Sequence, residues 1–392
     1  MTEVIIAGLG QTAVGEHWDT SLRELAFKAI EAALRDAGGL RPQALYVGNM
    51  LAPNLSRQAH LGVLLADYAG LAGIEAATVE AAGASGGAAL HQGYLAVKSG
   101  MVDAALVVGM ETFTDVIGPD TEAALATVFD SDYEAVQGLT PTAQAALLMR
   151  RYMHEFNVPA DGFAGFALTA HAHGATNKYA MFQKAIKLET YQKAEAVSEP
   201  LNMFDVAPNA DGAAAVLLTR RDLLPAGFPH PLVRIAASAA ASDTLALHDR
   251  TDPLAFYAVR STVEKSLRLA GINLETIDFF EYHDAFSIYA ALSLEASGFA
   301  PRGKGWELAR DGALSFTGKI PCATFGGLKA RGNAGGASGV YQAVEAAIQL
   351  RGQGGANQVA GAQYGMIQSL GGPASTAVTH VLTMDDRLCH RL

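Results

Sequence analysis

The stretch EAAGASGGAAL, Glu80 to Leu90, follows a short apolar run and opens a long amphipathic one. That layout suits a strand-to-helix turn presenting a reactive side chain at a helix N-terminus. The position that a thiol or hydroxyl nucleophile would occupy is Gly83, and glycine has no atom with which to attack. The motif GASG returns at Gly336–Gly339, ahead of another helix-period run. Glycines in such turns let backbone N–H groups approach a ligand oxygen at the positive end of a helix dipole, and they equally let two helices pack closely. Cys322, in KIPCATFGG, is the other candidate nucleophile, but no histidine lies close in sequence to activate it, and free cysteines are commonly small buried residues. Cys389 sits in the polar tail DDRLCHRL and is expected to be idle. His171 and His173, in HAHGATNK, are two residues apart and lack an acidic or cysteine partner at ligand spacing. On a helix, residues i and i+2 do not share a face, so no metal site is expected.

Short runs rich in Val, Ile and Leu must position these turns. EVIIAGLG, ALYVGNML, AALVVGM, AAAVLLT, PLVRIAAS, DFFEYHD, QVAGAQYG and TAVTHVLT read as mostly buried strands. Between them lie helix-period runs such as SLRELAFKAIEAALRDAG and AVRSTVEKSLRLAG, both closing on Gly. The alternation predicts α/β layers. Each GASG opens a run that ends near a Gly and leads into an apolar segment, so an internal duplication is expected, with halves at 1–228 and 229–392. The polar stretch of about 112–209 reads as an insertion into the first half, and its helix-period pieces MRRYMHEFNV and FAGFALTAHAHGATNKYAMFQKAIK could form a lid. Half the residues are hydrophobic and 17% are charged, which excludes a disordered chain. The net charge of −11 argues against a general nucleic-acid surface. Two cysteines fit a reducing cytoplasm, the N-terminus MTEVIIAGLG does not read as a signal peptide, and no apolar run reaches the roughly 18 residues of a membrane span.

The run VEAAGASGGAALHQGYLAVKSGMVDAALVVGME, followed in order by DGAAAVLLT, EYHDAF, GGLKARGNAGGASG and SLGGPAST, resembles the thiolases nearly end to end. The resemblance is to the sterol-carrier-protein type and its lipid-transfer-protein relatives. It implies a five-layer αβαβα fold of two similar halves, a homodimer, and coenzyme A thioesters as substrates without a covalently bound cofactor. It also implies, for this branch, a small zinc-ribbon and OB-fold partner protein. A thiolase of this type has Cys where Gly83 stands and His where Asn333 stands, in what would be GHP and here is GNA. It usually has a second Cys near Ser375–Thr376. Of these positions only His283, in HDAF, keeps the family's residue.

Thiolysis of a 3-ketoacyl thioester needs a thiolate. Retro-aldol cleavage of a 3-hydroxyacyl thioester releases the same thioester enolate and needs only a base and an oxyanion hole. Members of the resembling branch that lack the cysteines are aldolases in steroid side-chain breakdown, with tyrosines proposed as acid and base. In that scheme His283 donates to the enolate as a neutral imidazole, or else is a core histidine tied to Asp284. Asn333 assists through its amide or caps a turn. Tyr289 and Tyr341 are the acid and base candidates, with Lys329 and Arg331 near in sequence, or they are aromatic packing on a helix face. Tyr282 points to the other side of an extended segment. Gly336 and Gly372 would add backbone donors, and Lys178, Lys184 and Lys187 suit the coenzyme A phosphates. The leading expectation is a carbon–carbon lyase of the retro-aldol kind. A non-catalytic acyl-CoA-binding or scaffold subunit, and a thiolase (acetyl-CoA acyltransferase) whose nucleophile was substituted, stay open beside it.

Overall fold

A computed structural model describes residues 2–116 and 118–384; Cys389 lies outside them. The first strands are β1 (Val4–Gln11), β2 (Ala44–Gly48), β3 (Glu75–Val79) and β4 (Ala104–Glu111). A small hairpin, β5 (Ala196–Ser198) and β6 (Leu201–Asn202), precedes β7 (Gly212–Arg220) and β8 (Val233–Ser242). The chain ends in β9 (Phe279–Glu281), β10 (Tyr364–Gly371) and β11 (Thr376–Met384). All but the hairpin join one nine-stranded array in the order β3–β2–β4–β7–β1–β8–β11–β10–β9.

The array is two copies of one pattern. Within β1–β7–β4–β2, β1 pairs antiparallel with β7, β7 antiparallel with β4, and β4 parallel with β2. The run β8–β11–β10–β9 repeats each of these relations. β3 lies parallel beside β2, and at the equivalent place Cys322 makes a parallel bridge to Phe280 of β9. The halves meet where Ile5 and Ile6 of β1 pair with Arg234 and Val233 of β8.

Helices follow the same repeat. Leu22–Asp36 starts at a capping box between Ser21 and Glu24 and buries Leu25, Ala26, Ala29, Ile30 and Ala33 against β1 and β7. Its counterpart Tyr257–Ala270 covers β8 and β11. Between the two sheet halves run the helices opened by the GASG motifs, Ser85–Ser99 and Ser338–Leu350, packed on each other. Helix, sheet, paired helices, sheet and helix thus stack as five layers.

Two runs differ from their sequence patterns. QVAGAQYG stays irregular until β10 begins at Tyr364. The Gln349 side chain donates to the Asn357 carbonyl and accepts from the Val359 N–H, which holds this run as a turn. The helix over FAGFALTAHAHG stops at Gly174, and 175–187 is irregular. There the N–H groups of Met181 and Phe182 bond to the carbonyls of Arg331 and Ala330, so long-range backbone pairing overrides the local helix period.

The GASG glycines are first of all a helix crossing. A Cβ on Gly339 would stand 2.3 Å from the Gly87 nitrogen, and one on Gly86 would stand 2.7 Å from the Gly336 oxygen. No L side chain fits between backbones so close. Gly339→Ala should therefore cost about 1–3 kcal/mol or more, read as a lowered Tm by calorimetry. Gly15→Ala, where an added Cβ meets nothing within 4 Å, is the matched control. Equal melting of both variants would contradict the crossing as described.

Candidate active site

The helix crossing brings the ends of β3, β9 and β10 together, and the candidate residues stand on the turns that leave those strands. After β3 the chain turns through Ala82, a non-glycine residue at φ 51°. The conformation costs on the order of 1 kcal/mol. It is held by Ser85, whose Oγ accepts from the Ala81 N–H at 2.9 Å and donates to the Ala82 carbonyl at 2.6 Å. Gly83 follows, at the start of helix Ser85–Ser99. A Cβ on Gly83 would point at His283, 3.2 Å from Cε1 and 3.5 Å from Nε2, but also 2.7 Å from the Leu370 carbonyl oxygen at the end of β10. The turn has closed down around a residue without a side chain.

His283 leaves β9 beside Asp284, yet the two are not partners. Asp284 accepts the Leu328 N–H at 2.7 Å, and a Cβ on Gly327 would collide with its carboxylate. This contact explains why HDAF and GGLKARG occur together: the carboxylate fixes the glycine-rich turn. Among the described residues, His283 Nδ1 has no hydrogen-bond partner. Burial, assisted by the charge of Arg331, pushes the imidazole pKa down to about 3, so the ring is neutral at physiological pH. Arg331 itself is buried in an ion pair with Glu345 at 3.2 Å and lies over the Tyr341 ring, 4.8 Å from its centroid.

Asn333 faces the same end of the molecule. Its Oδ1 accepts from Gly335 N–H at 3.2 Å and Ser338 Oγ at 3.4 Å. Those bonds turn the amide so that Nδ2 is left to donate. Backbone bonds to Pro208 and Ala210 hold the residue in place.

The tyrosines separate. The Tyr341 hydroxyl donates to the Thr12 carbonyl and contacts Thr12 Oγ1, both at 3.1 Å, and the residue is wholly buried. It packs the helix crossing rather than offering a free phenol. Tyr289 is edge-on to Phe256 and Phe286. Burial raises its pKa, opposed by the charge of Arg250. Of the two cations expected beside the tyrosines, Lys329 is held by the Asp205 carbonyl at 2.8 Å, and Arg331, paired with Glu345, lies over the Tyr341 ring. Sequence reading missed Arg250, because nothing in HDRTDP signals a partner at residues 373–375.

Gly336 is not a free donor either. Its N–H bonds to Glu111 at 3.1 Å. Gly372 differs: at φ 55° it turns the chain after β10, and among the described residues its N–H has no protein acceptor. Cys322 is sealed from solvent, its Sγ lies 3.3 Å from the Ile320 carbonyl, and burial pushes the thiol pKa well up, so no thiolate forms there. Tyr282 packs on Phe166 and Phe280. Lys178, Lys184 and Lys187 are exposed on the irregular run 175–187, not on a helix face. His171 stacks on Phe182 and His173 on Phe316, and no metal-binding group of His, Cys, Asp or Glu occurs among the described residues.

A cavity of about 520 Å³ has walls that include Tyr133, Leu139, Leu147, Leu148, Leu247 and Pro253, and none of Gly83, His283, Asn333 or Gly372 lines it. At its floor Glu134 accepts from Gln144 and from the Leu247 N–H. Glu134 and Arg250 both act electrostatically on Tyr289.

Comparison with known proteins places this geometry. Residues 4–222 match the thiolase N-terminal domain and residues 239–384 the thiolase C-terminal domain-like model. The chain belongs to the thiolase family. It is similar to an acetyl-CoA acetyltransferase of Methanothermobacter thermautotrophicus, 40% identical over 98% of this chain and 100% of that protein. It is also similar to the 17-hydroxy-3-oxo-4-pregnene-20-carboxyl-CoA lyase of Mycobacterium tuberculosis, 27% identical over 93% of this chain and 95% of the lyase. Among solved structures, the Ltp2-ChsH2(DUF35) aldolase superposes with a TM-score of 0.83 at 24% identity, covering 98% of this chain and 99% of that one, a likeness of fold.

Two outcomes test this thiolase-family site. His283 and His380, both with pKa values pushed down to about 3 by burial, should show neutral-imidazole ¹⁵N shifts from pH 8 down to pH 5. A ring titrating near 6.5 at residue 283 would contradict the burial. Gly83→Ala should lower stability by about 1–3 kcal/mol because the Leu370 carbonyl must move. An unchanged Tm would show that the turn has room.

Proposed function

We propose that the chain is an acyl-CoA enzyme that cleaves a carbon–carbon bond beside the thioester by retro-aldol reaction of a 3-hydroxyacyl-CoA. The observation that carries this reading is the turn at Gly83, closed against the Leu370 carbonyl where a nucleophile would need space. Cys322, sealed and protonated, does not replace it. The lyase among the relatives supports the same chemistry.

The thioester carbonyl sits among donors: His283, the Asn333 amide and the Gly372 N–H. As the C2–C3 bond breaks, its electron pair moves onto that carbonyl and gives an enolate, while C3 keeps its oxygen and leaves as a ketone or aldehyde. The 3-hydroxyl proton is lost and C2 gains one, so the pair of products balances. Tyr289 suits the transfer, taking the hydroxyl proton as its own passes to C2. The phenol then never holds the full negative charge that burial disfavours. The apolar cavity at Leu139, Leu147 and Leu247 suits the acyl residue. The molecule works, in this reading, as a cytoplasmic homodimer with a small zinc-ribbon and OB-fold partner; the aldolase neighbour is named as an assembly with a DUF35 protein. Exposed Lys178, Lys184 and Lys187 remain suited to the coenzyme A phosphates.

The relative named acetyl-CoA acetyltransferase favours a second reading, thiolysis. Incubating the protein, with and without a co-expressed partner, with branched 3-hydroxyacyl-CoA or with 3-ketoacyl-CoA plus CoA separates the two by mass spectrometry. A shorter acyl-CoA and a free carbonyl product from the hydroxy substrate, without added CoA, are expected. CoA-dependent cleavage of the keto substrate alone would overturn the lyase, and acyl-CoA bound without turnover would mark a scaffold subunit. Asn333→Ala should lower kcat by about 10²-fold, the usual effect of deleting an oxyanion donor.

A further inference from the structure

The turn after β10 is braced by an arginine from a distant segment. Arg250 is buried and far in sequence from every other site residue, yet its guanidinium makes three directed bonds. Nε donates to the Thr244 carbonyl at 3.0 Å, Nη1 to the Pro373 carbonyl at 2.7 Å and Nη2 to Ser375 Oγ at 3.0 Å. The Asp243 N–H bonds to the Ser375 carbonyl at 2.8 Å, and Ser375 Oγ also lies 3.4 Å from the Leu245 carbonyl. The segment 243–250 and the turn 372–375 are therefore one unit, and the fork of the guanidinium spans it.

That unit needs a brace. Gly372 sits at φ 55° and Ala374 at φ 59°, the latter a strained conformation for a residue with a side chain. An unsupported turn would relax, and the Gly372 N–H would lose its direction. Leu370, just upstream, is the residue whose carbonyl closes on Gly83. The charge of the guanidinium also acts on Tyr289, while its hydrogen bonds go to the turn that carries Gly372.

We propose that Arg250 is the positioning residue of this site, clamping the turn 372–375 so that the Gly372 N–H stays open and directed at the thioester oxygen where enolate charge develops. The inference rests on an enolate at this site, which retro-aldol cleavage and thiolysis share, and not on the choice between them. A donor aligned in this way acts in the transition state more than in the ground state.

The test compares wild type with Arg250→Met, Arg250→Gly and Ser375→Ala in whichever cleavage assay the wild type supports. The expected result for Arg250→Met is a kcat lower by about 10²-fold with KM nearly unchanged. Arg250→Gly should regain part of its kcat on adding guanidinium salts at sub-denaturing concentration, and Ser375→Ala, which removes one bond, should show a smaller loss of the same kind. A KM rising in step with the fall in kcat, or an unchanged kcat, would overturn the assignment. If Arg250 variants do not fold, Ser375→Ala alone decides. If the wild type cleaves neither substrate, the proposed function fails, and the inference is read by binding. Ser375→Ala should then weaken a nitronate-bearing coenzyme A thioether, an enolate mimic, more than the plain ethyl thioether. Equal weakening of both would overturn it.

Discussion

The contact on which the rest depends is the meeting of two helices at backbone distance. Because Gly86 and Gly339 carry no side chains, Ser85–Ser99 and Ser338–Leu350 approach until their main chains touch. That separation fixes how far the two sheet halves stand apart, and so how the turn after β3 faces the turns after β9 and β10. Gln342 on the second helix adds the adjustment at right angles: its amide nitrogen donates to the carbonyls of Glu281, Tyr282 and Gln368. One side chain thus ties the ends of both strands to the crossing helix. A spacer of one methyl group at the crossing would be felt at Gly83 as a change of geometry, since close-packed interiors transmit strain rather than absorb it.

Below the site lies a set of buried charges that never reaches solvent. Arg331 pairs with Glu345, Lys329 is held by main-chain carbonyls, Asp284 fixes Leu328 and Glu281 binds the Thr324 N–H and hydroxyl. Burial pushes Glu281 and Glu345 up to about 7 and about 8, respectively, so the cluster can share a proton instead of carrying a full excess of negative charge. His283 above it stays neutral chiefly because it is buried, with the charge of Arg331 assisting. The side chain that faces Gly83 is a neutral imidazole, a dipole in a dry environment where such groups act strongly on a developing charge.

Much of this was legible in the residues. The duplicated GASG runs gave the two central helices, and the order of apolar segments gave the layers. HDAF with GGLKARG marked the turn that Asp284 fixes. Local pattern failed where a distant partner decided the outcome. For Tyr341 the sequence left acid/base chemistry and helix-face packing both open, and the bond to Thr12, just past β1, is one that spacing could not show. Gly336 read as an open donor, and Glu111 at the end of β4 claims its N–H. The run 175–187 kept a helix period that backbone bonds to 330–331 override. Arg250 gave no signal at all, since its partners in the turn lie more than a hundred residues downstream and two of its three bonds go to carbonyls, which carry no side-chain identity. Sequence spacing reports periodic and short-range order well, and long-range hydrogen bonds to the main chain hardly at all.

The closed turn at Gly83 has a further consequence, for chemical probes. Electrophilic reagents that label enzymes through an active-site sulfur would find none between Glu80 and Ser85, and the nearby Cys322 is shielded from solvent and protonated. Activity-based profiling with thiol-directed warheads would pass over this site even where its fold is intact and its pocket occupied, whereas a reversible ligand shaped like an enolate would report on it.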